Sequence, residues 1–209
     1  MDATNTALLV IDMQRDFLAA DGYAARAGLD VSNLQGAITP IQTVLSAARK
    51  AGLFIVHTRE GHLDDLSDCP RPKLERSRSA GAPIGSRGPL GRLLIRGERG
   101  HDFIDELRPM TGESVIDKPG YSAFHRTNLL MLLLSRSITN LLITGVTTEV
   151  CVHSTLREAV DRGFRCVTVS DACASTFPHL HAAALEMVRV EGGVFGRVAT
   201  SKEVAVELQ

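Results

Sequence analysis

The strongest constraint on the fold of this 209-residue chain is a set of short apolar runs that do not alternate with polar residues. They are A-L-L-V-I-D (7–12), L-F-I-V-H-T (53–58), S-V-I-D-K (114–118), L-L-I-T-G (141–145), C-V-T-V-S-D (166–171) and V-F-G-R-V (194–198). A strand with one wet face alternates with period two. Runs rich in Val, Ile and Leu without alternation suit strands covered on both faces, as in a parallel sheet. Helical patterns lie between them. Residues 38–51 place Ile41, Val44, Leu45 and Ala48 on one face, and Gly52 ends that helix. Further helical segments are read at 127–136, with Thr127 as N-cap, at 150–162, and at 179–191 before Gly192 and Gly193. Strand–helix alternation with right-handed crossovers predicts a three-layer α/β/α architecture. No repeat or internal boundary interrupts 1–209, so one domain is expected. The stretch 59–100, rich in Gly, Pro, Arg and Ser, breaks the rhythm; irregular segments of that length usually form a functional loop or an oligomer contact.

Composition narrows the function classes. A formal net charge of −1 gives no basic face for nucleic acid or an anionic membrane. The cluster R-P-K-L-E-R-S-R at 71–78 reads as a solvated loop. No apolar stretch approaches the roughly 18 residues of a membrane span. The start, M-D-A-T-N-T, lacks the basic and apolar regions of a secretory signal, so a cytoplasmic location is expected. Cys69, Cys151, Cys166 and Cys173 form no C-x-x-C pair, and no disulfide framework is expected. Cys69, Cys166 and Cys173 are read as structural.

Ligands of open parallel sheets bind beyond the carboxyl ends of the strands. Those ends carry Asp12, Arg59, Lys118, Thr147 to Cys151, and Asp171. An acid, an ammonium and a thiol thus share one rim. A thiol of pKa ~8.5 is mostly protonated at neutral pH. The N-terminus of the helix near Cys151 and the charge of Lys118 are expected to lower that value. Asp12 can accept the thiol proton and return it to a leaving amine. Helix-terminal N–H groups can hold an oxyanion. Taken singly, each residue has an ordinary structural role: a cap, an exposed lysine, a small buried hydrophobe.

Three motifs together, A-L-L-V-I-D-M-Q-R-D-F-L (7–18), V-I-D-K-P-G-Y-S-A-F (115–124) and G-V-T-T-E-V-C-V (145–152), resemble the isochorismatase-like cysteine hydrolase superfamily over nearly the whole chain. The resemblance implies a six-stranded, Rossmann-like parallel sheet, assembly as a homodimer or homotetramer, and no cofactor. It implies Asp12 as general base, Cys151 as nucleophile and Lys118 as their electrostatic support. It also implies a cis peptide between Val146 and Thr147, with the N–H groups of Thr147 and Cys151 as oxyanion hole. The presence of the cysteine points to an amidohydrolase. Nicotinamidases of the superfamily bind a metal through Asp-x-His after the second strand; here the sequence is T-R-E-G-H (58–62), so no metal is expected and His62 is read as a loop residue.

The stretches H-T-R-E-G-H (57–62), R-G-E-R-G-H-D-F-I-D-E-L (96–107), T-L-R-E-A-V-D-R-G-F-R-C (155–166) and E-G-G-V-F-G (191–196) are most similar to the branch that hydrolyses biuret and related ureides; K-P-x-Y-S-x-F (118–124) is similar to ureidoacrylate hydrolases. Tyr121 stands where the biuret branch has lysine, and Glu191 where it has glutamine. That exchange of charge suggests guanylurea or triuret as substrate if Glu191 contacts it. Otherwise Glu191 caps its helix or pairs with Arg189 or Arg197. Phe17 and Phe124 are candidate aromatic walls. Gln14 is a candidate to orient Asp12 or a substrate amide, Arg59 and Glu60 to pair with each other, and Asp171 to cap. Ser122 and His125 carry no assigned role. The alternatives are another carbamoyl amidohydrolase, of ureidoacrylate type, or a non-catalytic binding homologue.

Overall fold

A computed structural model describes all 209 residues. In chain order the elements are β1 (Thr6–Ile11), α1 (Arg15–Leu18), α2 (Tyr23–Arg26), α3 (Ser32–Gln35), α4 (Ile38–Ala51), β2 (Phe54–Glu60), α5 (Arg71–Ser79), β3 (Arg87–Gly88) and β4 (Gly91–Arg92). There follow β5 (Ser114–Lys118), α6 (Leu129–Leu134), β6 (Asn140–Val146), α7 (His153–Asp161), β7 (Arg165–Ala174), α8 (Pro178–Gly193), β8 (Arg197–Ala199) and α9 (Ser201–Glu207). A π-helical turn, Thr148–Val152, joins β6 to α7.

Six strands form one parallel sheet in the order β5-β2-β1-β6-β7-β8. The unalternating runs have the cause inferred from them. In β1, Leu8 and Val10 pack into one core layer with Ile41, Val44 and Leu45 of α4, while Ala7, Leu9 and Ile11 pack into the opposite layer with Leu129, Leu156 and Val188. With both faces covered, no position of β1 can be polar without cost. The helix read at 38–51 has those bounds, with Gly52 at φ 73 as its left-handed cap. The helix read at 127–136 is shorter, because Thr127 accepts the Leu129 N–H at 3.3 Å and the sequence turns out again at Ser135. The last strand is Arg197–Ala199 rather than 194–198, since α8 runs on to Gly193 through non-helical backbone at Val190, Glu191 and Gly192. No helix is long and apolar enough to cross a membrane.

The irregular stretch 59–100 is more ordered than its composition suggested. It contains α5 and the small β3–β4 hairpin, and it folds against α2 around its own apolar cluster of Tyr23, Cys69, Ala82, Ile84, Leu93 and Leu94. The buried Asp16 carboxylate anchors it by accepting the Leu94 N–H at 2.9 Å and the Tyr23 N–H at 3.3 Å. Burial raises that carboxyl to about 6.

The chain winds from β1 outward to β2 and β5, then returns to place β6 on the other side of β1. The switch point therefore lies between the carboxyl ends of β1 and β6, where Ile11 is in register with Gly145. Gly145 has φ 115, and a Cβ there would lie 2.0 Å from the Ile11 carbonyl oxygen. Gly145→Ala is expected to cost roughly 3–5 kcal/mol, from backbone strain and overpacking together. Gly97→Ala, also at positive φ but with nothing within 4 Å of the added Cβ, is expected to cost only about 1–2 kcal/mol. Urea denaturation of the two variants checks this; equal losses would refute the close-approach argument.

Candidate active site

Four ionisable or nucleophilic side chains meet at the switch point, each delivered by a strand end. Asp12 follows β1, Glu60 ends β2, Lys118 ends β5, and Cys151 lies in the π-helical turn after β6. Glu60 and Lys118 are register partners on adjacent strands. Asp12 adopts φ 54, a left-handed conformation that Asp tolerates better than most residues. Its N–H still binds the Thr58 carbonyl at 3.1 Å, and the Thr58 hydroxyl donates to Asp12 Oδ1 at 2.6 Å.

Lys118 is fully buried, as are Asp12 and nearly so Glu60. Its Nζ lies 2.8 Å from Asp12 Oδ2 and 3.4 Å from Glu60 Oε2, and it donates to the Gly120 carbonyl at 2.9 Å. Glu60 is also paired through Oε1 with the buried Lys73 Nζ at 2.7 Å, and Lys73 donates to the Pro119 carbonyl at 2.8 Å. The Cys151 thiol donates to Glu60 Oε2 at 3.2 Å. One carboxylate oxygen each of Asp12 and Glu60 and the Cys151 sulfur lie within 4.8 Å of one another. That donor set has the spacing a metal ion would use, but the Lys118 ammonium stands at ion-pair distance from both carboxylates.

The charge states follow from these contacts. Burial works against the Glu60 carboxylate, yet Lys118 and Lys73 hold it at about 2. Burial raises Asp12 above the usual carboxylate range, with Lys118 opposing and the charge on Glu60 adding to the rise. Burial also raises the Cys151 thiol well above its ordinary value; Lys118 opposes this, and the two carboxylates reinforce it. This corrects the expectation of a thiol lowered by Lys118 and a helix terminus: two anions and a dry site outweigh one ammonium. The sulfur rests protonated beside acceptors for its proton. Asp12 Oδ2 makes the ion pair with Lys118 but no well-angled hydrogen bond, which leaves it a lone pair for that proton.

The peptide between Val146 and Thr147 is cis, as the motif implied. The Thr147 N–H donates to no acceptor within the chain. A cavity of about 320 Å³ opens over this point, bounded by Thr147, Glu149, Val150 and Cys151 on one side and by Phe17, Tyr23, Arg76, Tyr121 and Phe177 on others. It falls at the small end of the range for small-molecule sites.

The structure sorts the remaining candidates. Phe17 and Tyr121 line the cavity. Phe124 does not: it is buried in the core, stacked on Phe164 at 6.0 Å, because the chain turns inward after Ser122. The Gln14 side chain reaches neither the Asp12 carboxylate nor the cavity. Its amide accepts the Glu60 N–H at 2.7 Å and donates to the carbonyls of Glu60 and His101, so it clamps Glu60 in place. Arg59 points away from the cavity, to the other side of β2 from Glu60; it pairs with Asp117 at 2.7 Å and lies over the Phe103 ring. The expected Arg59–Glu60 pair does not form, since neighbours on a strand face opposite ways. Glu191 is exposed at φ 53 in the kink that ends α8, outside the residues lining the cavity. It pairs with neither Arg189 nor Arg197; Arg197 pairs with Glu207. His62 faces Asp68 at 3.2 Å instead of joining Glu60. Asp171 holds Ser201 at the start of α9 through two 2.7 Å hydrogen bonds. Sequence reasoning missed Glu60 as a member of the site. The available signal was the strand period: Thr58 and Glu60 share a face, and Thr58 binds Asp12.

The Isochorismatase domain family matches residues 6–203. Among solved structures, a cysteine hydrolase from Pseudomonas syringae pv. phaseolicola is 27% identical with a TM-score of 0.84, covering 100% of this chain and 94% of that one. N-carbamoylsarcosine amidase from Thermoplasma acidophilum is 27% identical with a TM-score of 0.70, covering 94% and 96%. The pyrazinamidase/nicotinamidase of Streptococcus mutans is 26% identical with a TM-score of 0.75, covering 92% and 99%.

Glu60 holds a negative charge against the Cys151 proton, so its neutral isostere should release that proton more readily. Glu60→Gln is expected to move the pH midpoint of Cys151 alkylation by iodoacetamide down by at least about one unit, a change of about 1.4 kcal/mol. Peptide mapping of label at Cys151 across pH reads the shift. An unchanged or higher midpoint would show that the charge on Glu60 does not act on the sulfur.

Proposed function

This chain belongs to the isochorismatase family, and on that premise we propose that it is a cysteine amidohydrolase of small acyclic amides, with Cys151 as nucleophile, Asp12 as proton carrier and Lys118 as their electrostatic support. The observation that carries this reading is the buried cluster itself: a thiol, two carboxylates and an ammonium mutually in reach at the floor of a small cavity. A homologue that only bound ligand would have no need to keep these charges out of water, where burying each ion costs several kcal/mol.

The chemistry balances within the cluster. As Sγ bonds to the carbonyl carbon, the thiol proton passes to the Asp12 carboxylate and the carbonyl electron pair moves onto oxygen. The Thr147 and Cys151 N–H groups receive that oxyanion. When the adduct collapses, the C–N bond breaks and the Asp12 carboxyl protonates the departing nitrogen, releasing ammonia or an amine and leaving a thioester-type adduct. Water then adds to the adduct and gives its proton to Asp12. The C–S bond breaks, and the proton returns to sulfur. Lys118 keeps Asp12 ionised against burial between these transfers. Glu60, itself held by Gln14 and Lys73, fixes Lys118 and steadies the thiol.

A ureide or carbamoyl compound suits the cavity, whose aromatic walls at Phe17, Tyr23, Tyr121 and Phe177 favour a flat group. The sequence similarity to biuret-type and ureidoacrylate-type hydrolases supports the same class, as does the likeness to an N-carbamoylsarcosine amidase. The charge argument for guanylurea rested on Tyr121 and Glu191 together; Tyr121 lines the cavity, but Glu191, the carboxylate that was to receive a cationic group, lies outside it. Four free, buried cysteines suit the reducing cytoplasm. Exposed Phe177, Leu180, Met187 and Val190 along α8 support assembly with a second copy as a homodimer or homotetramer.

The test is ammonia release from a panel of amides and ureides. Cys151→Ser is expected to reduce it to background and Asp12→Asn by about 10²–10⁴-fold, with far-UV circular dichroism unchanged in both. Turnover by Cys151→Ser comparable to the parent would overturn the nucleophile assignment.

A further inference from the structure

Helix α5 presents two cations one turn apart, Lys73 and Arg76, to the ring of Tyr121, at 5.0 and 5.8 Å from its centroid. Their commitments differ. Lys73 is buried and spent on Glu60 and the Pro119 carbonyl. Arg76 lines the cavity over Cys151, and no carboxylate lies within 4 Å of it. Its hydrogen bond at 2.8 Å goes to the Tyr121 hydroxyl, a neutral acceptor. Its sequence neighbours are otherwise engaged or turned away: Glu75 pairs with Arg71, and Asp68 with Arg96 and His62.

The charges around the cavity confirm how isolated Arg76 is. Asp12 and Glu60 are balanced by Lys118 and Lys73 within the buried cluster. Two charged side chains on the cavity wall remain outside that balance: Arg76, and Glu149, one of whose carboxylate oxygens is buried with no hydrogen-bond partner. They do not pair with each other. A guanidinium held by a phenol and facing an apolar cavity is suited to a planar anion, which it can grip through two parallel N–H groups. An unpartnered carboxylate on the same wall is suited to N–H donors.

Resting on the amidohydrolase reading, we propose that Arg76 is a specificity residue that receives a carboxylate on the substrate, so that the natural substrates are carboxylate-bearing carbamoyl compounds rather than neutral or cationic ureides. Their carbamoyl end goes to Cys151, with its N–H groups toward Glu149, and their carboxylate goes to the cavity mouth. Arg76 and Tyr121 also border a second, wider depression of about 590 Å³, so the pair forms the partition between the two hollows.

The test compares N-carbamoylglycine and N-carbamoyl-β-alanine with their neutral carboxamides, and with biuret and guanylurea. Each is assayed for ammonia release by the parent, Arg76→Gln and Arg76→Lys. The carboxylates are expected to exceed their carboxamides at least about 10-fold in kcat/KM. Arg76→Gln should lower kcat/KM for the carboxylates by about 10–100-fold through KM, the size of one lost charge-assisted hydrogen bond. The carboxamides should change less than about 3-fold, and Arg76→Lys should restore part of the loss. Calorimetric binding to Cys151→Ala provides a second readout that needs no turnover: the carboxylates should bind more tightly than the carboxamides, and Arg76→Gln should abolish the difference. Equal preference for carboxylate and carboxamide, or equal effects of Arg76→Gln on both, would overturn the proposal. Binding preference without ammonia release from any compound would instead count against the amidohydrolase reading and leave the role of Arg76 standing.

Discussion

A lysine with no exposed surface cannot keep its charge alone, and the site is organised around how Lys118 keeps it. Removing an ammonium from water costs several kcal/mol, which only close counter-charges with good hydrogen bonding can offset. Asp12 and Glu60 supply them: Glu60 from β2, the neighbour of the strand that carries Lys118, and Asp12 from the end of β1, one strand further in. The cluster therefore ties β5, β2 and β1 together at their carboxyl ends. A slip of one residue in any of these strands would turn its charged side chain to the other face and leave a buried ion unpaired. The geometry of the cluster and the strand register are fixed by the same contacts.

The cluster also decides how the thiol is used. With two carboxylates and one ammonium around it in a dry site, the sulfur is held toward its protonated form, and in the proposed reaction its proton moves as the carbon–sulfur bond forms. A pre-formed thiolate in such a site would be open to oxidation and alkylation. On the proposed reading, the protonated thiol passes its proton to Asp12 as it attacks an electrophilic carbon. Gln14 and Lys73 extend this control outward by fixing Glu60, so mutating residues that never touch substrate will still disturb the sulfur.

Around this floor the walls come from segments that contribute little to the main core. Residues 15–27 and 59–100 fold on their own small apolar cluster and are pinned by Asp16. They bring Phe17, Tyr23 and Arg76 to the mouth of the cavity, beside Tyr121 from the turn after β5. The division suits a family with varied substrates: on the proposed reading the strand ends hold the reacting groups, and the loops hold the groups that choose among substrates.

Much of this was legible in the residues alone. The unalternating runs predicted strands covered on both faces, and β1 shows the reason: its successive side chains enter opposite core layers. Asp12, Lys118 and Cys151 were readable because strand ends are local features and a parallel sheet gathers them on one rim. Glu60 was not singled out, because its importance comes from register with Lys118 and from Lys73, which lies on a helix that composition had assigned to a solvated loop. Phe124, Arg59 and Glu191 were misplaced for a related reason. A side chain's direction at the end of an element depends on the local turn and on its neighbours in space, which spacing along the chain does not encode. The sequence by itself determined the layers, the sheet and the gathering of Asp12, Lys118 and Cys151 on one rim, since period and strand order are written in local patterns. Only the tertiary structure decided the protonation of the sulfur, the fourth member of its cluster and the charge left open at the mouth, since electrostatic balance in a buried site is a sum over residues distant in sequence.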